Sequence, residues 1–564
     1  MLSTFVRGAW AAVAIVLTST SIALAETKAT PAPKKTVVAQ SDTTPAPTPT
    51  PNPLTVRGYF RSYYFTRQNA SNNPGVQFNF TPGAKYNSNA VNQASLNNAV
   101  FLHADYQLPY AGWYVGGSYL VAQPFAGSCN TAASHAKGKP CVSQSPPNTN
   151  PDDTLPGFGL DTFPETYVGY KDARWNGIAG DFAFNNAWAP ASDSRVKAAY
   201  YQGTDVSYAL GQGMSLELGE IWAWQNRTSN SFSNNTLLTS YPAGSPGLAS
   251  NIFVPCNGGG CGGISTSGLS YGHFGFAPKD TNYSVNGYFY GFHDIVTTFW
   301  GDAKYTWNQE SFKPFVALQG GWENNGGQSV IGKIDSQLVG IQLGANATKE
   351  LTITGAFDYV PWKTDTVSTA YLSSINWTCS NSNFQFKSNT HTGIVVNTLP
   401  YFLPTNAGQC FQNANGTTSV YYGGWASPYT DSYATDPIFT TQISQGMADR
   451  RAPGTSWKVA ATYTSSNKRL IFIASDAWYN YGNALVPENT NEWNLDGQYR
   501  LNQVPAKGLY RGLLLRYRYA QRTQSNTFCG DQGTTCPPGS ALGATFEGGL
   551  PVFKYNRAQL EYDF

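Results

Sequence analysis

The segment Leu513-Leu514-Leu515-Arg516-Tyr517-Arg518-Tyr519-Ala520-Gln521-Arg522 alternates between two kinds of side chain. One face carries Leu513, Leu515, Tyr517 and Tyr519, and the other carries Leu514, Arg516, Arg518, Ala520 and Arg522. A period of two predicts a β-strand, because successive side chains of a strand point to opposite sides of the sheet. The apolar face of this strand must therefore meet either a protein core or lipid.

The last residues of the chain repeat the alternation and end on an aromatic. Ala558, Leu560, Tyr562 and Phe564 share one face, and Arg557, Gln559, Glu561 and Asp563 share the other. This pattern resembles the strands of bacterial outer-membrane β-barrels, whose lipid-facing band is edged with aromatic residues. A secreted β-sandwich is the alternative, since its strands also alternate.

Three segments are predicted along the chain. Residues 1–25 have the features of a secretory signal peptide, namely Arg7, an apolar stretch over 8–22 and the cleavage pattern Ala23-Leu24-Ala25. Residues 26–53 are rich in Pro, Thr and Ala, which predicts an extended periplasmic tether, either a spacer or a contact to the cell wall. Residues 54–564 are predicted to form one transmembrane antiparallel β-barrel.

The composition agrees with a barrel. Aromatic residues make up 14% and charged residues 12% of the chain, and the mean hydropathy is −0.33. Only alternate strand residues of a barrel meet lipid, so low overall hydropathy is expected. No run after the signal segment is apolar enough for a spanning helix. A net charge of only +2 gives no support for nucleic-acid binding.

The connections between predicted strands are of two kinds. Short joins lie near residues 108–111, 211–213, 308–310, 346–348, 466–468 and 504–506, and the longest loops span 226–282, 361–440 and 523–552. In a barrel the short joins become periplasmic turns and the long loops become extracellular. About sixteen strands are clear, with room for one more hairpin, so eighteen strands are predicted and sixteen is the alternative. One segment conflicts with this prediction, because Glu220 shares its phase with Leu216, Leu218 and Trp222 and would face lipid unless a bulge intervened or the strand boundary were misplaced.

The eight cysteines fall in neighbouring pairs within the long loops: Cys129 with Cys141, Cys256 with Cys261, Cys379 with Cys410, and Cys529 with Cys536. In an exported protein this spacing predicts four local disulfides. The cysteines show no zinc-type arrangement of two ligand pairs, and neither a metal nor another cofactor is expected.

Several blocks, in this order, resemble the OprD family of outer-membrane porins. They are APASDSR at 189–195, YFYGFHDI at 288–295, GDAKY at 301–305, GKIDS at 332–336, NEWNLD at 491–496 and RYRYA at 516–520. The resemblance implies eighteen strands, passive and substrate-selective diffusion, a third loop folded inward, and a ladder of basic residues along the pore. In this chain the third loop is 185–202, which carries Asp193, Ser194 and Arg195, and the ladder corresponds best to Arg516 and Arg518.

The residues support the same pore lining independently. An arginine on the lipid face at the bilayer midplane costs roughly 2–4 kcal/mol, so Arg516 and Arg518 are expected to face water. There are four further candidates. Arg57 and Arg61 lie on the first predicted strand, Arg500 lies on a neighbouring strand, and Arg522 lies on the same strand as Arg516 and Arg518. A row of guanidinium groups can pass a carboxylate from one to the next. Glu492, Asp496 and Asp358 are predicted to be lumen carboxylates without a selective role.

The sequence therefore predicts a bacterial outer-membrane porin for small hydrophilic solutes, especially carboxylates. The expected partners are outer-membrane lipid, lipopolysaccharide and the solutes, and a homo-oligomer is left open. The alternatives are a non-conducting surface adhesin and a secreted all-β carbohydrate-binding protein or hydrolase. An enzyme is not expected: the nucleophile-elbow string Gly268-Leu269-Ser270-Tyr271-Gly272 lies in a predicted loop without a strand–turn–helix setting. His293 is predicted to lie within a strand.

Overall fold

The protein is described from a computed structural model. The described residues are 53–69, 93–124, 160–191, 195–227, 229–239, 263–307, 312–375, 377–380, 383–386, 401–403, 410–430, 435–443, 445–450, 453–481, 489–501, 512–524 and 550–564. The predicted signal peptide and all of the predicted tether except Pro53 lie outside them.

The secondary structure is almost entirely β. In chain order the strands are β1 (Leu54–Asn69), β2 (Gln93–Gln107), β3 (Trp113–Pro124), β4 (Leu160–Lys171), β5 (Trp175–Phe182), β6 (Tyr200–Gly211), β7 (Met214–Gln225), β8 (Asn235–Thr239), β9 (Gly263–Ser265), β10 (Leu269–Phe276), β11 (Tyr283–Phe292), β12 (Val296–Thr306), β13 (Phe315–Asn325), β14 (Asp335–Asn346), β15 (Leu351–Val360), β16 (Lys363–Ser368), β17 (Trp377–Ser380), β18 (Asn383–Phe386), β19 (Cys410–Gln412), β20 (Thr417–Tyr422), β21 (Gly454–Thr464), β22 (Leu470–Asn480), β23 (Asn489–Arg500), β24 (Gly512–Gln524) and β25 (Leu550–Asp563). Two short helices, α1 (Thr369–Ser374) and α2 (Met447–Arg450), complete the list for the described residues. Among the described residues, no helix is long and apolar enough to cross a membrane.

Eighteen of these strands, β1–β7, β10–β15 and β21–β25, form one closed antiparallel barrel. The predicted strand number of eighteen is confirmed. Closure is made by β1 and β25, which pair over their length. At this seam Gly58 and Phe564 exchange two backbone hydrogen bonds of 3.0 Å. A Cβ on Gly58 would lie 2.3 Å from the carbonyl oxygen of Phe101 and 2.7 Å from a ring atom of Phe564, so only glycine fits.

The connections divide between the two ends of the barrel as predicted. At one end, called the turn end, short segments such as 172–174 and 212–213 join the strands. The opposite end, called the loop end, carries the long connections, including 361–453 between β15 and β21. One connection departs from the pattern, since only residues 293–295 join β11 to β12 at the loop end.

The alternation of β24 separates an apolar exterior from a charged interior. Leu515 and Tyr517 point outward and are 43% and 52% exposed, whereas Arg516 and Arg518 point inward and are only 4% and 8% exposed. The same rule holds around the barrel, because large apolar side chains on the outward phase of most strands are exposed. The buried core consequently lies inside the barrel, where chain segments pack against the inner wall.

Two local predictions are wrong, both in one region. The predicted loop 226–282 contains barrel strand β10, whose glycines and serine hide the alternation. Ser270 therefore lies in a strand, and His293 lies in the turn between β11 and β12. Glu220 does point outward: it pairs in register with Thr204 and Ser270, and the irregularity of β7 lies beyond it, at Trp222.

The loop predicted at 361–440 was expected to be irregular, but part of the connection 361–453 forms a small sheet. Strands β16, β20 and β19 pair in that order, and β17 pairs with β18. A disulfide joins Cys379 to Cys410 within this unit, as predicted. The other six cysteines, Cys129, Cys141, Cys256, Cys261, Cys529 and Cys536, lie outside the described residues.

Candidate pore lining

The six arginines proposed on barrel strands all project into the barrel. Arg57 and Arg61 lie on the inward phase of β1, Arg500 on that of β23, and Arg516, Arg518 and Arg522 on that of β24. Toward the turn end, Arg57 contacts His103 Nε2 at 3.1 Å and Arg500 lies 3.8 Å from Asp563. Neighbouring strands at the closure seam therefore bring these arginines to one side of the lumen. We call this side the basic wall.

The central arginines of the basic wall share one carboxylate. Arg516 donates from Nε to Asp496 Oδ1 at 2.9 Å and from a terminal nitrogen to Oδ2 at 2.5 Å. Arg518 donates twice to Oδ2, at 3.1 and 2.9 Å. Asp496 and Arg518 are direct cross-strand partners. Asp496 is thus not an isolated lumen carboxylate, and it partly neutralises the two guanidinium groups.

A second chain of contacts runs along β25, where Arg557, Gln559 and Glu561 share the inward phase. Arg557 donates to Gln559, and Gln559 donates to Glu561 Oε2 at 2.8 Å. Arg61 Nε donates to the same Oε2 at 2.5 Å. Arg557, which was not selected from the sequence, also lies over the Tyr63 ring at 4.6 Å. The sequence signal for Arg557 was its position on the same strand face as Gln559 and Glu561.

The third loop-end connection, 183–199, crosses the interior of the barrel. We call it the crossing loop; its described parts are 183–191 and 195–199. Near one end, Phe184 packs against Tyr271 on β10 at 4.6 Å between ring centroids. Near the other end, the carbonyls of Arg195 and Val196 accept from Arg61 at 3.2 and 3.4 Å. The described part of the loop therefore reaches from the β10 wall to the basic wall, with Arg195 itself buried. Asp193 and Ser194 lie outside the described residues.

A second stretch also fills the lumen and was not predicted. Residues 423–448, called the inner segment, follow the small sheet and are largely buried where described. Its Thr440 amide donates to Asp358 at 2.9 Å, and its Ala426 amide donates to Glu323 at 2.7 Å. Gln442 donates to the carbonyl of Glu492 at 3.2 Å. Asp358 and Glu323 therefore anchor a chain segment, which the sequence reasoning missed. The available signal was the low charge and high aromatic content of 421–447.

Three tryptophans join the crossing loop, the inner segment and the wall. Trp188 lies 5.2 Å from Trp300 on β12 and 5.3 Å from Trp425, and Trp300 lies 5.7 Å from Trp425, between ring centroids. All three are nearly inaccessible to solvent. We call this contact the tryptophan cluster. It holds two inserted segments against one side of the barrel, and these segments narrow the lumen.

The fold is similar to that of solved porin structures. Pseudomonas aeruginosa OccK9 (OpdG) gives a TM-score of 0.57 at 11% identity, covering 91% of this chain and 98% of that chain. Pseudomonas aeruginosa OpdK with vanillate gives 0.54 at 10% identity, with coverage of 91% and 98%. Pseudomonas aeruginosa OccK2 (OpdF) in complex with glucuronate gives 0.54 at 9% identity, with coverage of 91% and 96%. The chain therefore has the fold of the OprD-type porins.

The similarity is one of structure. No protein-family model matches the sequence, and no curated protein matches it by sequence.

Proposed function

We propose that this protein is an outer-membrane porin through which small hydrophilic solutes diffuse passively, with a preference for solutes that carry a carboxylate. The observation that carries the proposal is the composition of the basic wall. Arg61, Arg516, Arg518 and Arg557 line it, and the carboxylates that contact them include those of Asp496 and Glu561. The excess of guanidinium groups favours anions in the lumen.

The barrel fold supports this proposal, as does the nature of two ligands in similar structures. Glucuronate and vanillate, the molecules in the OccK2 and OpdK structures, are carboxylates. A guanidinium group binds a carboxylate through two parallel hydrogen bonds. Conduction also requires that binding be weak enough for release. Asp496 supplies that limit, because it competes with the solute for the hydrogen bonds of Arg516 and Arg518.

The rest of the chain takes roles consistent with this location. We propose that residues 1–25 direct export, that residues 26–53 form a tether on the periplasmic side, and that the loop end of the barrel faces the exterior. The crossing loop and the inner segment form the constriction. Of the six arginines, Arg516 and Arg518 lie in the middle of their strand and contact the solute at this level.

The experiment measures the ion selectivity of the channel, and its block by solutes, in planar bilayers. The purified protein is expected to form channels that prefer anions in a salt gradient, and glucuronate and vanillate are expected to reduce the current. Arg516→Ala should shift the reversal potential toward cations and weaken the block. Arg174→Ala is the matched control, because Arg174 is exposed in the turn between β4 and β5.

Two results would contradict the proposal in different ways. If the protein inserts into the bilayer but shows no conductance, the result favours the alternative of a non-conducting surface adhesin. Conductance with the same reversal potential in wild type and Arg516→Ala would remove the basic wall as the source of selectivity.

A further inference from the structure

A lysine lies on the outer wall of the barrel near the loop end of the closure seam. Lys554 on β25 shares its phase with Ala558 and Leu560, which point outward, and β25 pairs in register with β1 and β24 from Lys554 to the turn end. The irregularity between β24 and β25 lies beyond Lys554, at Arg522 and Thr523. No described residue forms a hydrogen bond or an ion pair with the ammonium group of Lys554, which is partly buried.

The position of Lys554 corresponds to the border of the apolar band. Two residues closer to the turn end, Asn556 donates to Thr66 at 3.2 Å and accepts from Tyr517 at 3.0 Å. A further two residues on, at Ala558, the outward phase becomes apolar. Polar groups therefore give way to apolar ones along this face. Such a border, at the end of the barrel that carries the long loops, marks the headgroup level of the outer leaflet in the orientation proposed above.

The neighbours of Lys554 in the same row across the sheet support this level. Its partner on β24 is Gln521, which accepts from Tyr519 at 2.9 Å. The partner of Gln521 on β23 is Trp493, whose ring lies 4.9 Å from that of Tyr519. Aromatic residues of this kind edge the apolar band of a barrel. Asp476 is also in the row, but it is three strands from Lys554, roughly 14 Å at the usual strand spacing, and does not neutralise the ammonium group.

An apolar groove of about 440 Å³ opens on the outer wall on the turn-end side of Lys554. One row of this wall alternates large and small residues: Tyr64, Ala558, Tyr517, Gly497 and Phe472. The small residues form recesses on either side of the exposed Tyr517 ring. Ala558 lies four residues from Lys554, or about 14 Å along the strand, which is the depth of acyl chains. Leu515 and Leu560 continue the groove toward the turn end.

We propose that this face binds lipid A, the phosphorylated glycolipid part of lipopolysaccharide, with one phosphate on Lys554 and one acyl chain in the groove. An ammonium group that has no partner in the described protein is complementary to a phosphate. Gln521, whose oxygen accepts from Tyr519, retains amide N–H donors for the same headgroup. The inference rests on the membrane location and orientation proposed above, but it does not require the barrel to conduct.

The charge of Lys554 selects among lipids. A phosphate monoester, as in lipid A, carries about −1.5 to −2 charges at neutral pH, whereas the phosphodiester of phosphatidylglycerol carries only one negative charge. The headgroup of phosphatidylethanolamine adds an ammonium group, which Lys554 repels. The expected order of retention is therefore lipid A first, phosphatidylglycerol second and phosphatidylethanolamine last.

The test is native mass spectrometry of the purified protein from micelles that contain equal amounts of lipid A, phosphate-free lipid A, phosphatidylglycerol and phosphatidylethanolamine. Wild-type protein should retain lipid A roughly tenfold over its phosphate-free form, as expected for one charge-assisted contact. Lys554→Gln should bring this ratio close to one, and Lys554→Arg should keep it. The matched control is Lys349→Gln, which removes an exposed lysine at the turn end and should leave the ratio unchanged.

The groove is tested separately by Ala558→Leu, which fills the recess between Tyr64 and Tyr517 and should lower the retention of both forms of lipid A. Its control is Ala461→Leu, the same substitution on the outer wall of β21, between the exposed Val459 and Tyr463. Loss of lipid in Ala558→Leu but not in Ala461→Leu supports the groove.

Four results would overturn the proposal. They are equal retention of lipid A and its phosphate-free form, equal retention of lipid A and phosphatidylglycerol, an unchanged ratio in Lys554→Gln, and wild-type retention of lipid A in Ala558→Leu. Channel recording of the same samples decides conduction independently, so failure of the porin proposal is distinguishable from failure of the lipid A site.

Discussion

The guanidinium group of Arg61 on the first barrel strand lies 2.5 Å from the carboxylate of Glu561 on the last. The two residues are direct cross-strand partners at the closure seam. Arg61 also donates to two carbonyls of the crossing loop. One ion pair therefore connects closure of the barrel, the charge of the basic wall and the position of the loop that narrows the lumen.

Arg61→Ala is expected to destabilise the barrel by about 3–5 kcal/mol, because it leaves the carboxylate of Glu561 buried without its cation. Denaturant unfolding in detergent micelles measures the change. Glu561→Gln in the Arg61→Ala background should recover part of the loss, since it removes the uncompensated charge. Strictly additive losses in the double variant would show that the two groups do not interact.

Asp496→Asn should increase the preference for anions, the opposite effect to Arg516→Ala. The amide keeps the shape of the side chain but no longer neutralises Arg516 and Arg518. The shift in reversal potential measures selectivity, and the duration of vanillate block measures binding, which should lengthen. Asp280→Asn is the control: Asp280 is an exposed turn residue with φ of 62°, a conformation that asparagine tolerates. An unchanged reversal potential in Asp496→Asn would mean that this carboxylate does not affect the conduction path.

The register of the barrel could be predicted because lipid imposes a strict period of two on each strand. When Leu515 and Tyr517 point outward and Arg516 and Arg518 point inward, these two arginines stay out of the bilayer. The pairing of Asp496 with both arginines could not be predicted. It depends on the stagger between β23 and β24, which the alternation within either strand does not specify.

The filling of the lumen was only partly accessible from sequence. The crossing loop was expected through the family resemblance, whereas the inner segment was assigned to an external loop. Both consist of irregular backbone, so no period marks them. Trp425 and Thr440 are held by partners far away in the sequence, Trp188 and Asp358, and such contacts have no local signature. Strand β10 was missed for another reason, because its alternation is broken by Gly272 and Ser270.

Trp188→Ala should raise single-channel conductance and current noise, because it removes the ring that joins the crossing loop to the inner segment. Replacing a buried tryptophan with alanine typically lowers the free energy of unfolding by about 3–5 kcal/mol. A loss of the same size is expected for Trp425→Ala. The double variant should lose less than the sum of the single losses, since both remove the same contact. Trp457→Ala is the control, because Trp457 is on the outer wall and 57% exposed. A conductance equal to wild type in Trp188→Ala would show that the tryptophan cluster does not hold the constriction.

The small sheet at the loop end is attached to the barrel by charges. Asp365 on β16 accepts from Lys333 at 3.0 Å and from Tyr401 at 3.1 Å, and Lys333 lies over the rings of Tyr401 and Tyr422. Burial alone would raise the pKa of Asp365, but the hydrogen bonds from Lys333, the Thr366 amide and Tyr401 outweigh it and hold the pKa below its usual value. The pKa of Lys333 is raised, mainly by a hydrogen bond with Tyr422 and to a smaller extent by one with Asp365. Lys333 is therefore charged at every pH used in an acid titration.

Acid should loosen the small sheet through Asp365. A carboxylate whose pKa is lowered on folding stabilises the fold fully above its unfolded pKa of about 4 and loses this contribution as the pH falls through the folded value. Hydrogen exchange in β16 and β20, corrected for the intrinsic rate, should therefore be faster at pH 3 than at pH 7. Asp365→Asn should exchange faster at pH 7 and lose most of the difference between the two pH values. Lys363 and Asp335, 3.3 Å apart, form a second attachment, so Asp335→Asn is the comparison that keeps the Asp365 contact. Equal protection of wild-type β16 at both pH values would show that the charge of Asp365 does not hold the sheet in place.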